Sequence, residues 1–124
     1  MSRFRIVVVL LLGTTLLSSC KKVADEKKVD VAPGDIKIFS VPAVKSLSVE
    51  FAATPDPVNV YVVAGKDADK AQTDLQNGKE PASPLAAQKA SSGTISVSSS
   101  EKTEMTILVT SSKKTSVTVK FNGS

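Results

Sequence analysis

Three groupings of side chains in this sequence have the types and spacing from which chemistry could be built. Ser99 with Lys102, and Ser111 with Lys114, repeat the Ser-x-x-Lys spacing in which a lysine amine can activate a serine hydroxyl. Such a lysine must be desolvated to lose its proton, and both pairs lie in polar stretches that read as turns. Asp67, Asp69 and Asp74 form the densest carboxylate cluster. Carboxylates at alternate positions suit calcium, which takes roughly six to eight oxygen ligands. The calcium-loop pattern further requires a third ligand, a bend glycine and a distal glutamate, and those positions hold Ala71, Gln72 and Gly78. The pattern fails, and placement at the positive end of a helix accounts for Asp69 equally well. The third grouping is Leu17-Ser18-Ser19-Cys20, which ends in the single cysteine of the chain.

Composition closes most other routes. The chain has no histidine, which removes the commonest general base and, with one cysteine, the usual ligands of zinc and other transition metals. A Ser-His-Asp or Cys-His arrangement cannot be assembled, and no Gly-x-Ser-x-Gly elbow is present. Tryptophan is absent as well, so a platform of rings for stacking sugars or bases is hard to build. The expectation is a protein without catalytic residues, metal or cofactor.

The elements that position Cys20 carry the most specific signal. Arg3 and Arg5 give a basic start, Ile6 to Leu17 is an apolar run broken only by Gly13, Thr14 and Thr15, and two small residues precede the cysteine. That order is the order of a secretory export signal. The run is shorter than the roughly 20 residues a membrane-spanning helix needs, and Lys21 and Lys22 close it. The residues Leu17-Ser18-Ser19-Cys20 resemble the lipobox of bacterial lipoproteins. The resemblance implies that Leu17, Ser18 and Ser19 are recognised by the processing machinery and that residues 1–19 are removed. It further implies that Cys20 carries a diacylglyceryl thioether and an added acyl chain such as palmitate. Two or three chains anchor a protein where one holds only marginally. Lys21 stands where the family's inner-membrane retention signal has an aspartate. A cell envelope with two membranes would therefore receive this protein on its outer one.

Taking 19 residues from 124 leaves 105, enough for one domain. Both arginines depart with the signal, so 14 lysines face 12 acids, a balance of +2. Without arginine forks or a clustered basic stripe, nucleic-acid binding is not expected. Residues 20–34 mix charges of both signs with few apolar side chains and read as the lipidated cysteine and a flexible tether. On that tether Lys21, Lys22, Lys27 and Lys28 could reach anionic headgroups, diluted by Asp25, Glu26 and Asp30.

Residues 35–124 read as the folded domain. Period-two alternation marks Ile36 and Ile38 leading into Val41, then Leu47/Val49/Phe51, Val58/Val60/Val62, Ile95/Val97, Met105/Ile107/Val109 and Val117/Val119/Phe121. Turn chemistry at Thr54-Pro55-Asp56-Pro57, Ser91-Ser92-Gly93 and Ser111-Ser112-Lys113-Lys114 separates the runs. Six short strands with polar links predict an all-β fold, a small antiparallel β-sandwich of immunoglobulin-like type whose last three strands form a meander. Serine and threonine at 91–100 and 110–118 read as solvent faces and turns. Lys113, Lys114 and Lys120 read as lysines guarding a sheet edge. The stretch from 36 to 123, with its closing Val117-Thr118-Val119-Lys120-Phe121-Asn122-Gly123 segment, resembles small sandwich modules of bacterial secreted proteins such as the pre-peptidase C-terminal type. That resemblance carries no site motif.

One insertion, 66–90, interrupts the strands. Asp69 as cap, Gln72 three residues later and Asn77-Gly78 as a stop predict a helix over about 70–76. Pro81-Ala82-Ser83-Pro84 breaks the chain, and Leu85 to Ala90 reads as one further helical turn. A loop this long in a compact domain is more often functional than connective, so an envelope protein partner would be sought there. The sequence thus points to a membrane-anchored, non-enzymatic envelope lipoprotein used for binding or structure. The alternatives are an accessory subunit of a larger envelope complex and a hydrolase working through carboxylates alone.

Overall fold

The computed structural model describes residues 23–124. In chain order its elements are β1 (Val23–Val31), β2 (Lys37–Thr54), β3 (Val58–Ala64), a 3-10 turn (Gly65–Asp67), α1 (Ala68–Gln76), β4 (Ala86–Ala90), β5 (Ser92–Thr110) and β6 (Thr115–Gly123). The strands pair antiparallel in the order β1-β6-β2-β5-β3-β4. Two long strands, β2 and β5, serve both layers of a sandwich. Residues 46–52 of β2 pair with 92–98 of β5, and residues 37–41 pair with 105–109, with register breaks between Val41, Val44 and Ser46. The first half of that ladder continues outward through β6 to β1, and the second through β3 to β4.

The core lies between the layers. Val49, Phe51, Ile95, Val97, Val117 and Val119 of the first layer share one buried cluster with Val58, Val60, Val62, Ile107 and Val109 of the second. Each of these residues belongs to a run whose alternation marked it as inward. Short turns close the far end of the sandwich. Buried Thr115 holds one of them, its hydroxyl donating to the Asp56 carbonyl at 2.8 Å and accepting from the Asp56 N–H at 3.2 Å. Another is Ala32-Pro33-Gly34-Asp35, where Asp35 N–H donates to Ala32 O at 2.9 Å and Gly34 takes φ +87°. Proline then glycine at the two central positions is the type II pairing, since only glycine adopts positive φ without cost.

An all-β antiparallel sandwich is what the sequence implied, but the strands are cut differently. The runs at 36–41 and 47–51 are one bent strand, as are those at 95–97 and 105–109, so the closing meander is absent. Ile36 and Ile38 fall in the opposite phase to Val41. Ile36 packs on the outside of the second layer, and Ile38 is exposed.

Two strands arise where none was expected. The stretch read as a tether is largely β1, paired residue by residue with β6 from Val23↔Gly123 to Val31↔Thr115. Composition predicted disorder because these side chains bury little. The backbone instead pairs along a ready-made edge, and among its described side chains Val29 and Val31 reach the core. Lys27 and Lys28 therefore stand on a strand, Lys27 paired with Asp25 at 3.3 Å. Both partners lie on the core-facing side, opposite Val119 and Phe121, yet at the rim and half exposed. An inward charged pair there discourages another chain from adding to the edge. Lys120 has no such role, because β1 covers its strand, and Lys113 and Lys114 belong to the β5–β6 turn. The second unexpected strand is β4, where a helical turn had been anticipated at 85–90; Leu85 N–H already donates to Val62 O at 2.7 Å.

Candidate functional site

In β3 the even positions Val58, Val60 and Val62 enter the core, which sends Asn59, Tyr61 and Val63 to the opposite face. Leu108 of β5 pairs beside Tyr61 on that face. So much apolar surface has to be covered, and α1 covers it. Tyr61, Val63, Leu108 and Ala71 form a second buried cluster, with Ile36, Ala68 and Leu75 packed against it. Ala71 and Leu75, four residues apart, are the helix face turned to the sheet. The helix begins at Ala68, two residues earlier than a cap at Asp69 implies. Its N-cap is Asp67, which makes no side-chain cap bond, because the 3-10 turn Gly65–Asp67 leads straight into it. Its end is as anticipated. Gly78 takes φ +76°, its N–H donates to Leu75 O at 3.1 Å, and Lys79 N–H donates to Asp74 O at 2.8 Å, a Schellman closure.

Where α1 ends it stands clear of the sheet. A cleft of about 380 Å³ opens there between Ile36, Asn59, Tyr61, Leu75, Glu80 and Thr110. Asn59 Nδ2 donates to Thr110 Oγ1 at 3.4 Å on its floor. Burial pushes the Tyr61 phenol above the usual range for tyrosine, and the charge of Glu80 adds to the shift. The cleft thus offers one ring, aliphatic walls, an amide, hydroxyls and a carboxylate. Such a lining can hold a ligand or a side chain by apolar contact and hydrogen bonds. An open groove of about 400 Å³ also crosses the outer face of the first layer, past Glu26, Glu50 and Lys120. It lies on the solvated strand face and lacks a comparable apolar wall of side chains from a second element.

The residues singled out from sequence fare unequally. Leu17, Ser18, Ser19 and Cys20 lie outside the described residues. Asp67 and Asp74 line one small recess of about 50 Å³ with Lys70, whereas Asp69 is exposed and does not line it. Among the described residues no three of histidine, cysteine, aspartate or glutamate gather as a metal would require. Ser99 Oγ lies 3.1 Å from Thr103 Oγ1, and Lys102 is exposed. Ser111 Oγ donates to Lys113 O at 2.5 Å and accepts from Lys113 N–H at 3.1 Å, so this hydroxyl closes a turn, and Lys114 is exposed. Serines 92, 96 and 98 and Thr94 are exposed along β5, as solvent-face residues. Asn59, Tyr61 and Glu80 were not singled out. For Tyr61 and its neighbour Asn59 the signal was the unbroken apolar run Val60 to Ala64, which tells of a strand covered on both faces; Glu80 had none.

Among the described residues no helix is long and apolar enough to cross a membrane. No protein-family model matches this chain, and no curated protein matches it. A solved structure described by the words "Bacillus endospore appendages form a novel family of disulfide-linked pili" is similar to 89% of this chain and 98% of its own, at 17% identity and a TM-score of 0.46.

Proposed function

We propose that this chain is an envelope lipoprotein, anchored through lipid on Cys20, whose sandwich serves as a non-enzymatic binding or structural module. The observation that carries the reading is the order of basic start, apolar run, Leu17-Ser18-Ser19 and a single cysteine, with the first strand beginning only three residues later. The carboxylates and the serine–lysine pairs supply no arrangement that favours a reaction. The experiment is Cys20→Ala in the native host with a fatty-acid probe. Loss of label together with an uncleaved precursor is expected; unchanged label would overturn the anchor.

A second reading has its own support. The 66–90 segment supplies α1 and one wall of the Tyr61 cleft, so an accessory subunit could seat a partner there. Crosslinking in cells from a photoreactive residue at Lys79 or Ser112 separates the two uses. Recovery of one stoichiometric protein favours a subunit, and recovery of bulk cell-wall material favours a structural module.

A further inference from the structure

We infer that the bent end of the sandwich rests on the lipid headgroups and that the Tyr61 cleft points away from the membrane. This inference rests on lipidation of Cys20 and adds an orientation to it. Val23 lies three residues beyond Cys20, and three residues span at most about 11 Å when fully extended. A headgroup layer is itself about 5–7 Å deep. The start of β1 can therefore stand only a few ångströms above the lipid surface.

The register fixes which part of the molecule shares that height. Val23 pairs with Gly123, Gly123 with Leu47, and Leu47 with Val97, so four strands stand side by side at this end. At about 4.8 Å between strands they span roughly 14 Å. One step further out, Lys45 N–H donates to Ser124 O at 2.8 Å, and Val44 pairs with Thr103 across the bend. Pro42, Ala43, Lys45, Glu101 and Lys102 are exposed there. Lys45 and Lys102 are the exposed lysines on this rim, and Glu101 and Glu104 stand beside them, so the tether length and the register, not a net charge, set which end meets the lipid. At the opposite end lie the turns 32–36, 54–57 and 111–114, and the cleft is bordered by Gly34 and Ser112 of these turns. Nine residues of β1 set it about 27 Å further out. The paired strand itself does the work of a spacer.

The full lipidated chain in vesicles of phosphatidylethanolamine with phosphatidylglycerol tests this. With Cys20 acylated, a thiol introduced by Ala43→Cys or by Ser112→Cys is the one available to a fluorophore. A nitroxide quencher on the lipid headgroup should quench the Ala43→Cys label several-fold more than the Ser112→Cys label. Lys102→Cys against Lys113→Cys repeats the comparison at two other exposed sites. Equal quenching in both pairs overturns the orientation. Intact mass of the same samples reads the anchor separately: lipid present with equal quenching rejects the orientation alone, and an unmodified Cys20 rejects the anchor and the orientation with it. Inserting a Gly/Ser spacer of roughly ten residues between Lys22 and Val23 should erase the difference. A difference that survives would reject the short linkage as its cause.

Discussion

The two halves of β5 differ in burial within one strand. Residues 92–98 alternate, with Ile95 and Val97 buried and Thr94, Ser96 and Ser98 in water. Residues 105–109 are buried without exception, Thr106 included. Both halves pair with β2 and lie over the same core, but among the described residues the first has β2 as its one ladder partner whereas the second also pairs with β3 on its other side. The outer face differs as well, wet over the first layer and covered by α1 over the second. Period two is therefore a property of a one-sided strand. Where both faces are covered the alternation fills in, and the chain must supply the cover from nearby; here it follows β3 directly.

The comparison is most severely tested at its shared core. Val60 is fully buried and contacts the cluster common to both layers. Val60→Asp should cost more than about 5 kcal/mol, enough to abolish a cooperative melt, because a lone carboxylate has no partner there. A wild-type melting temperature would mean the two layers do not share a core. Next come two outward positions on the same strand. Leu108→Ala, under α1, should cost about 2–5 kcal/mol in urea denaturation, whereas Ser96→Ala on the bare face should stay within about 0.5 kcal/mol. Equal costs would remove the distinction between the covered and the wet half.

A smaller effect reports on the cover itself. Gly78 ends α1 at positive φ with open space where a Cβ would sit. Gly78→Ala should therefore cost about 1 kcal/mol through backbone conformation alone. Hydrogen exchange should show the last turn of α1 opening while the first layer stays protected. Loosening of both layers to the same degree would show that the helix and the two layers unfold as one unit.

These differences explain what could be seen in the sequence. Leu47, Val49, Phe51, Val117, Val119 and Phe121 were legible because water on one side enforces alternation, and their phase held. The joins were not legible. Nothing in Pro42-Ala43 or in Ser99–Thr103 distinguishes a bend within one strand from a turn between two, since both want small and polar residues. β1 was hidden for another reason. It contributes backbone hydrogen bonds and, through Val29 and Val31, little apolar surface, whereas composition weighs side chains alone; Pro33-Gly34, a turn signal between two strands, was the clue. The cleft was half legible. The 66–90 segment was marked by its length, but Tyr61 and Asn59 face it only because the register of β3 against β5 turns them outward.

The finest test of the covered face uses Tyr61, the only tyrosine of the chain. Burial first, and the Glu80 carboxylate second, hold its phenol above the ordinary value. The folded protein therefore keeps this proton at a pH where the unfolded chain has released it. Stability from this group is whole below about pH 10 and declines as pH rises toward the folded value. Phenolate absorbance should titrate above the usual phenol range, and Glu80→Gln should lower the midpoint part of the way, since burial is untouched. In Tyr61→Phe the alkaline loss of stability should shrink relative to wild type, with no comparable change between the two at neutral pH in its slope against pH. A wild-type phenol titrating at the ordinary value would mean that water already reaches the hydroxyl beneath the end of α1. The second layer would then be wet on its outer face at that point, and Asn59, Tyr61 and Thr110 would read as one more alternating surface.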